Sequence, residues 1–283
     1  MPQIIVNTVS ARIKSQPSGS STELRRAKLG TVYSVLEKKS TWYKVQFTSG
    51  NKTVGGWMPS TAVDDYDSAS GDEINAQITE RYYAPEGMSF TVASELAGFL
   101  AGIKNTNADL GLKRLLSLKQ ALKTLSQPPT KDQQAFLKSS ENAIVYSEPA
   151  GEYHVRSELF WDLHKKYKRE DIAWQAAKNP LPGECEGYVN CYLFYAKQTD
   201  GEYLNLYPEG KNALEALVNI TNLLEPIVQD LTEKSVYVGP TDVSDRAEFN
   251  QTISDLRSII SRLGFTEKEK PLQQLEKIAE GFR

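Results

Sequence analysis

The sequence predicts a multidomain chain of mixed α and β class: a small all-β barrel followed by a larger, irregular α-helical bundle. Three observations lead there. The first 66 residues fall into short runs rich in Val, Ile, Thr and aromatics (IIVNTVSARI, TVYSVLEK, WYKVQF, GGWMPSTAV), separated by SQPSGSS, KKST and TSGNKTVGG. From about residue 74 the apolar spacing changes to three and four, the period of a helix. Charge divides near the same place: residues 1–63 carry nine Lys and Arg against Glu23 and Glu37, a net +7, and the remainder carries −10.

These patterns place a barrel of five short strands at 1–66, a linker at 67–73 inside the acidic, turn-prone DDYDSASGDE, and a helical domain at 74–283. In the helical domain TVASELAGFLAGIK, DLGLKRLLSLKQALKTL, SELFWDLHKKYK, KNALEALVNITNLLEPIVQDL, DRAEFNQTISDLRSIISRLG and KPLQQLEKIAEGF each read as an amphipathic helix. Pro128-Pro129 separates two helices, Ser244-Asp245 offers a cap before Arg246, and Gly264 follows the end of its helix. NAIVYSEPAGEYHV, residues 142–155, reads as a small hairpin or ordered loop. With 283 residues, 40% of them hydrophobic, the chain can bury a sizeable core. No run approaches the roughly 18 apolar residues of a membrane span. The start, MPQIIVNTVSARIK, lacks the basic, apolar and small-residue regions of a signal peptide, so the chain is expected either in the cytoplasm or outside it after loss of a leader.

Val9-Ser10-Ala11-Arg12, Pro17, Gly30-Thr31-Val32-Tyr33-Ser34-Val35, Trp42-Tyr43-Lys44-Val45 and Gly56-Trp57 follow one another in an order that resembles the bacterial SH3-like (SH3b) family over residues 4–65. Ser10-Ala11 stands where that family usually has Asn-Val, and TSGNKTVGG is longer than a minimal turn. The resemblance implies a five- or six-stranded barrel that targets extracytoplasmic proteins to cell-wall peptides or glycan. Trp42 and Tyr43, with Arg12 and Lys44 to meet a carboxylate, are then the expected ligand-binding residues. Trp42 and Tyr43 are adjacent in a strand and point to opposite faces, so one of them is expected to be exposed. Trp57 could join Trp42 and Tyr43 in one aromatic surface, but a barrel this small needs a Trp in its core, and Trp57 is expected to fill it. A second resemblance is local: Gly201 to Leu224, GEYLNLYPEGKNALEALVNITNLL, is similar to the inter-helix turn of envelope tetratricopeptide-type arrays, with KYKREDIAWQAAK as the preceding helix. No 34-residue repeat accompanies it.

The two cysteines, Cys185 and Cys191, lie together in GECEGYVNCYLFYA. Glu184 to Val189 echoes the nucleophile signature of NlpC-type cysteine peptidases, but His154 and His164 both precede Cys185, and flanking carboxylates disfavour a thiolate. Both histidines read as bland, one in a loop and one exposed on a helix. Paired C-x-x-C or H-x-x-x-H spacing is missing, so no metal site and no cofactor are expected. In a continuous helix, positions six apart are separated by about 9 Å of rise. A Cys185–Cys191 disulfide therefore requires Pro182 to Gly187 to be a loop and the helix to begin near Tyr188. That staple is the expected state, with two buried free thiols as the alternative. Tyr188, Tyr192 and Tyr195 would share a helical face against Trp161 or Trp174. A disulfide implies an oxidising space.

The sequence thus points to a non-catalytic envelope protein. Its barrel meets a cell-wall glycopeptide or peptide, and its helical domain meets a protein partner. The alternative is a cell-wall peptidase or amidase with an unfamiliar active site. Nucleic acid is not expected as a partner: Trp42 and Tyr43 could stack bases, but the basic residues are spread over strands and turns, with no ordered aromatic-basic track.

Overall fold

The computed structural model describes residues 1–104, 107–233 and 235–282. The chain forms two compact units, Met1–Asn142 and Ala143–Arg283.

The first unit begins with seven strands: β1 (Gln3–Val6), β2 (Ala11–Lys14), β3 (Glu23–Ala27), β4 (Val32–Lys39), β5 (Trp42–Ser49), β6 (Lys52–Pro59) and β7 (Val63–Tyr66). They make one antiparallel sheet in the order β3-β2-β6-β5-β4-β1-β7. β4 pairs with β1 through Val32 to Ser34 and with β5 from Val35 onward, with a register shift after Val35. Such irregularities bend a strand and let one sheet wrap a core. Inside lie Ile4, Val6, Ala11, Ile13, Val35, Val45, Phe47 and Met58.

Two strands exceed the expected five. IIVNTVSARI divides into β1 and β2 at a turn in which Ser10 is left-handed, at φ 57°. β3, with sequence ELRRA, has no apolar alternation; only Ala27 is buried, and the strand exists because it pairs with β2. TSGNKTVGG is mostly strand rather than a long turn. Ser49 pairs with Lys52, and Gly50 at φ 59° supplies the left-handed residue of a two-residue hairpin.

β7 runs on into α1 without an extended tether. Asp67 accepts a hydrogen bond from the Ala69 N–H, capping a single 3-10 turn at Ser68–Ser70, and α1 (Gly71–Tyr82) starts at once. α2 (Phe90–Gly102), α3 (Ala108–Lys123) and α4 (Lys131–Ser139) complete the unit. A second cluster joins barrel to helices: Ile5 and Leu29 lie among Ile78, Leu96, Phe99, Leu100 and Ala121. The units therefore part at 142/143 and not within 67–73, because α1 to α3 bury their apolar faces against the back of the barrel.

The second unit opens with the hairpin β8 (Ile144–Ser147) and β9 (Glu152–Val155), in register Ile144 to Val155. Helices follow: α5 (Ser157–Tyr167), α6 (Glu170–Ala177), α7 (Val189–Ala196), α8 (Glu202–Leu206), α9 (Ala213–Asp230), α10 (Val243–Ser261) and α11 (Glu269–Gly281). They enclose Leu193, Tyr203, Leu217, Ile220, Phe249, Leu256 and Leu275. α7 joins α8 through one π-helical turn, Lys197–Gly201. KYKREDIAWQAAK is not one helix, since Lys168 is left-handed (φ 52°) and separates α5 from α6. The cap of α10 is Asp242, whose carboxylate accepts the Asp245 N–H, rather than Ser244-Asp245.

Candidate functional site

Strand alternation divides the barrel's aromatics between two faces. On β5, Val45 and Phe47 point into the core with Tyr43 packed beside them, so Trp42 and Lys44 project outward. On β6, Met58 is wholly buried inside, which turns Trp57 outward. Register then aligns one row across three strands: Lys14 on β2 opposes Trp57 on β6, which opposes Lys44 on β5. The Lys44 ammonium lies 5.7 Å from the centroid of the Trp57 ring and 3.5 Å from Glu37, its neighbour on β4. Trp42 stands two residues from Lys44 on the same face, opposite Pro59.

Trp57 is only 8% exposed, yet it lies outside the core cluster. Its expected burial holds, but on the outer face of the sheet, where the Lys44 ammonium lies across its ring and Lys14 is its partner on β2. Long basic side chains lay their methylene stems on apolar surface while the charge stays in water.

The structure places Trp42, Lys44 and Arg12 on this outer face, Arg12 being two residues before Lys14. Arg12 is in an ion pair with Glu23 at 3.4 Å, and Glu23 also meets Arg26 at 3.6 Å. Tyr43 is on the opposite face, partly buried against the core, with Lys38 5.0 Å from its ring centroid. Lys14 and Glu37 belong to the same patch as Trp57 and went unrecognised. Composition shows such residues, but only the strand register brings them together.

Glu95 of α2 holds the barrel from behind. Its carboxylate accepts the N–H groups of Ser10 at 3.0 Å and Leu29 at 3.3 Å, fixing the turn that carries the left-handed Ser10. Burial raises the Glu95 pKa above the usual carboxylate value, and these hydrogen bonds oppose the rise.

In the second unit Cys185 and Cys191 form a disulfide with Cα atoms 5.4 Å apart. The preceding residues are a loop and α7 starts at Val189, the arrangement the bond requires. The Cys185 sulfur is thereby committed to a bond and is not a thiolate. Neither histidine sits as expected. His154 is on β9, with Nε2 3.4 Å from Glu152 but outside hydrogen-bond geometry. His164 is 3% exposed, and its Nε2 is 2.9 Å from the Tyr207 hydroxyl. That hydroxyl also donates to the Lys168 carbonyl, so the imidazole is the donor of the pair. Burial, with Lys168 nearby, lowers the His164 pKa and keeps the ring neutral.

The three tyrosines around α7 diverge. The Tyr188 hydroxyl donates to Asp245, which pushes its pKa up to about 12. Tyr192 packs edge-on against Tyr237, and Tyr195 lines a groove. Trp161 and Trp174 meet His164 and Tyr203 instead.

No group of His, Cys, Asp or Glu among the described residues is arranged to hold a metal ion. No described helix is long and apolar enough to cross a membrane. No curated protein and no solved structure matches the chain significantly. Residues 9–64 match the family model of the bacterial SH3 domain (SH3_3), and this N-terminal part of the chain belongs to that family.

Proposed function

We propose that the protein is a non-catalytic component of a bacterial envelope. Its SH3 domain holds a cell-wall glycopeptide or a peptide on the outer face of β2, β6 and β5, and its second unit engages a protein partner. The observation that carries this reading is the Lys14, Trp57, Lys44 row with Trp42 beside it. The Trp42 indole gives a ligand apolar area at low entropic cost, Trp57 sets the row beneath Lys44, and the two ammonium groups meet a carboxylate. Glu37 limits the charge of the row, so the patch favours a short carboxylate-bearing ligand over a long polyanion. The Cys185–Cys191 bond supports a place outside the cytoplasm, where disulfides persist.

Co-sedimentation of the full chain with purified bacterial sacculi at physiological salt tests it. The protein should pellet, and Trp42→Ala with Lys44→Ala should weaken binding roughly tenfold while the domain stays folded. A wild-type chain that stays in the supernatant overturns the wall-binding reading.

A further inference from the structure

The second unit contains a cleft of about 520 Å³ that the SH3 patch does not involve. We propose that this cleft recognises the ammonium group of a lysine side chain carried by a basic peptide. It is bounded by Pro182, Glu184 and Glu186 of the disulfide loop, by Tyr192 and Tyr195 of α7, and by Leu223 of α9.

The walls are held from several directions. The Cys185–Cys191 bond ties the loop to α7. The Ser147 hydroxyl donates to the Pro182 carbonyl at 3.2 Å, fixing the loop's start. At its end the Val238 N–H donates to the Gly187 carbonyl, and the Val189 N–H donates back to Val238. Gly187 is at φ 81°, and a Cβ there would stand 2.2 Å from the Val236 carbonyl oxygen, so no other residue fits. Tyr192 is seated on Tyr237, with ring centroids 5.4 Å apart. The cleft is therefore preformed and lies within the size range of small-ligand sites.

Charge selects the occupant. Glu184 and Glu186 are exposed at the rim, neither has an ion-pair partner among the described residues, and no Lys or Arg lines the cleft. A neutral ligand would crowd two carboxylates without compensation, and an anion would be repelled. A lysine side chain matches both features, since its methylene stem lies on Leu223 and the tyrosine rings while the ammonium meets the carboxylates and the ring faces. Asp200, whose charge is felt at Tyr195, adds to the negative potential on that side.

The test titrates the full-length protein with acetyl-Lys-Lys-Lys-amide by calorimetry. Saturable binding is expected, abolished when the lysine Nε atoms are acetylated and weakened at least about fivefold by Glu184→Gln with Glu186→Gln. Those two side chains are exposed, so the double variant should melt with the wild type. Tyr195→Leu should weaken binding as well, while Trp42→Ala, on the SH3 face, should leave it unchanged. Absence of saturable binding, equal binding of the acetylated peptide, or full affinity in the double glutamine variant overturns the proposal. Failure here leaves the sacculus result untouched, because the two sites share no residue.

Discussion

Cutting the chain after residue 67, where composition changes, should give a damaged SH3 domain, and the damage can be sized. In β1, Ile4 and Val6 face the barrel core, whereas Ile5 faces α1 to α3. Ile5 is 2% exposed and Leu29 is 4% exposed, and both lose their cover when the helices are removed. At about 1.5–3 kcal/mol for each fully buried aliphatic side chain, the loss is about 3–6 kcal/mol. The bonds from Ser10 and Leu29 to Glu95, and from the Tyr82 hydroxyl to the Asn7 carbonyl, disappear as well. Small domains are stable by only about 5–15 kcal/mol, so fragment 1–67 should be marginal or unfolded while 1–142 unfolds cooperatively. Urea titration followed by tryptophan emission is a clean assay, since Trp42 and Trp57 are the only tryptophans in either fragment. Equal unfolding midpoints for 1–67 and 1–142 would refute the reasoning.

Three further outcomes follow from single groups. Burial in the π-turn raises the Asp200 pKa from 3.8 to about 6, opposed by the Asn219 hydrogen bond and Lys178 and reinforced by Glu215. This contribution to stability is present below pH 3.8 and is lost as pH rises through 6, on the order of 3 kcal/mol in all. Asp200→Asn should therefore be more stable than the wild type at pH 7 and flatter between pH 4 and 6; an unchanged pH profile in calorimetric melting counts against it. Reducing the Cys185–Cys191 bond, which closes a loop of about seven residues, should cost about 2 kcal/mol by chain entropy, read as a lower unfolding midpoint with reductant present. In fragment 1–142 with Trp42→Phe, Lys44→Ala should uncover Trp57 and increase its quenching by acrylamide; unaltered quenching would return Trp57 to the core.

The patterns that depend on neighbours along the chain were legible. WYKVQF declared its two faces, the helical spacing declared most of the helices, and the loop-then-helix geometry around Cys185 and Cys191 followed from rise per residue alone. The ordered Gly, Trp-Tyr-Lys-Val and Gly-Trp motifs carried the SH3 family. What depends on long-range pairing was not legible. Alternation says that Trp57 and Met58 oppose each other, but only the wrapping of the sheet puts Met58 inside and leaves Trp57 beneath Lys44. β3 carries no apolar signal, because a strand stabilised by pairing with β2 needs none. His164 looked like a surface residue until Tyr207, 43 positions later, arrived to accept its hydrogen bond. The sequence by itself determined the change from a strand-rich N-terminus to a helical remainder, the SH3 identity of the N-terminus and the loop-then-helix arrangement around the two cysteines. The tertiary structure decided the domain boundary, the composition of the outer basic-aromatic row and the cleft beside the disulfide, because each depends on which surfaces distant segments bury against one another.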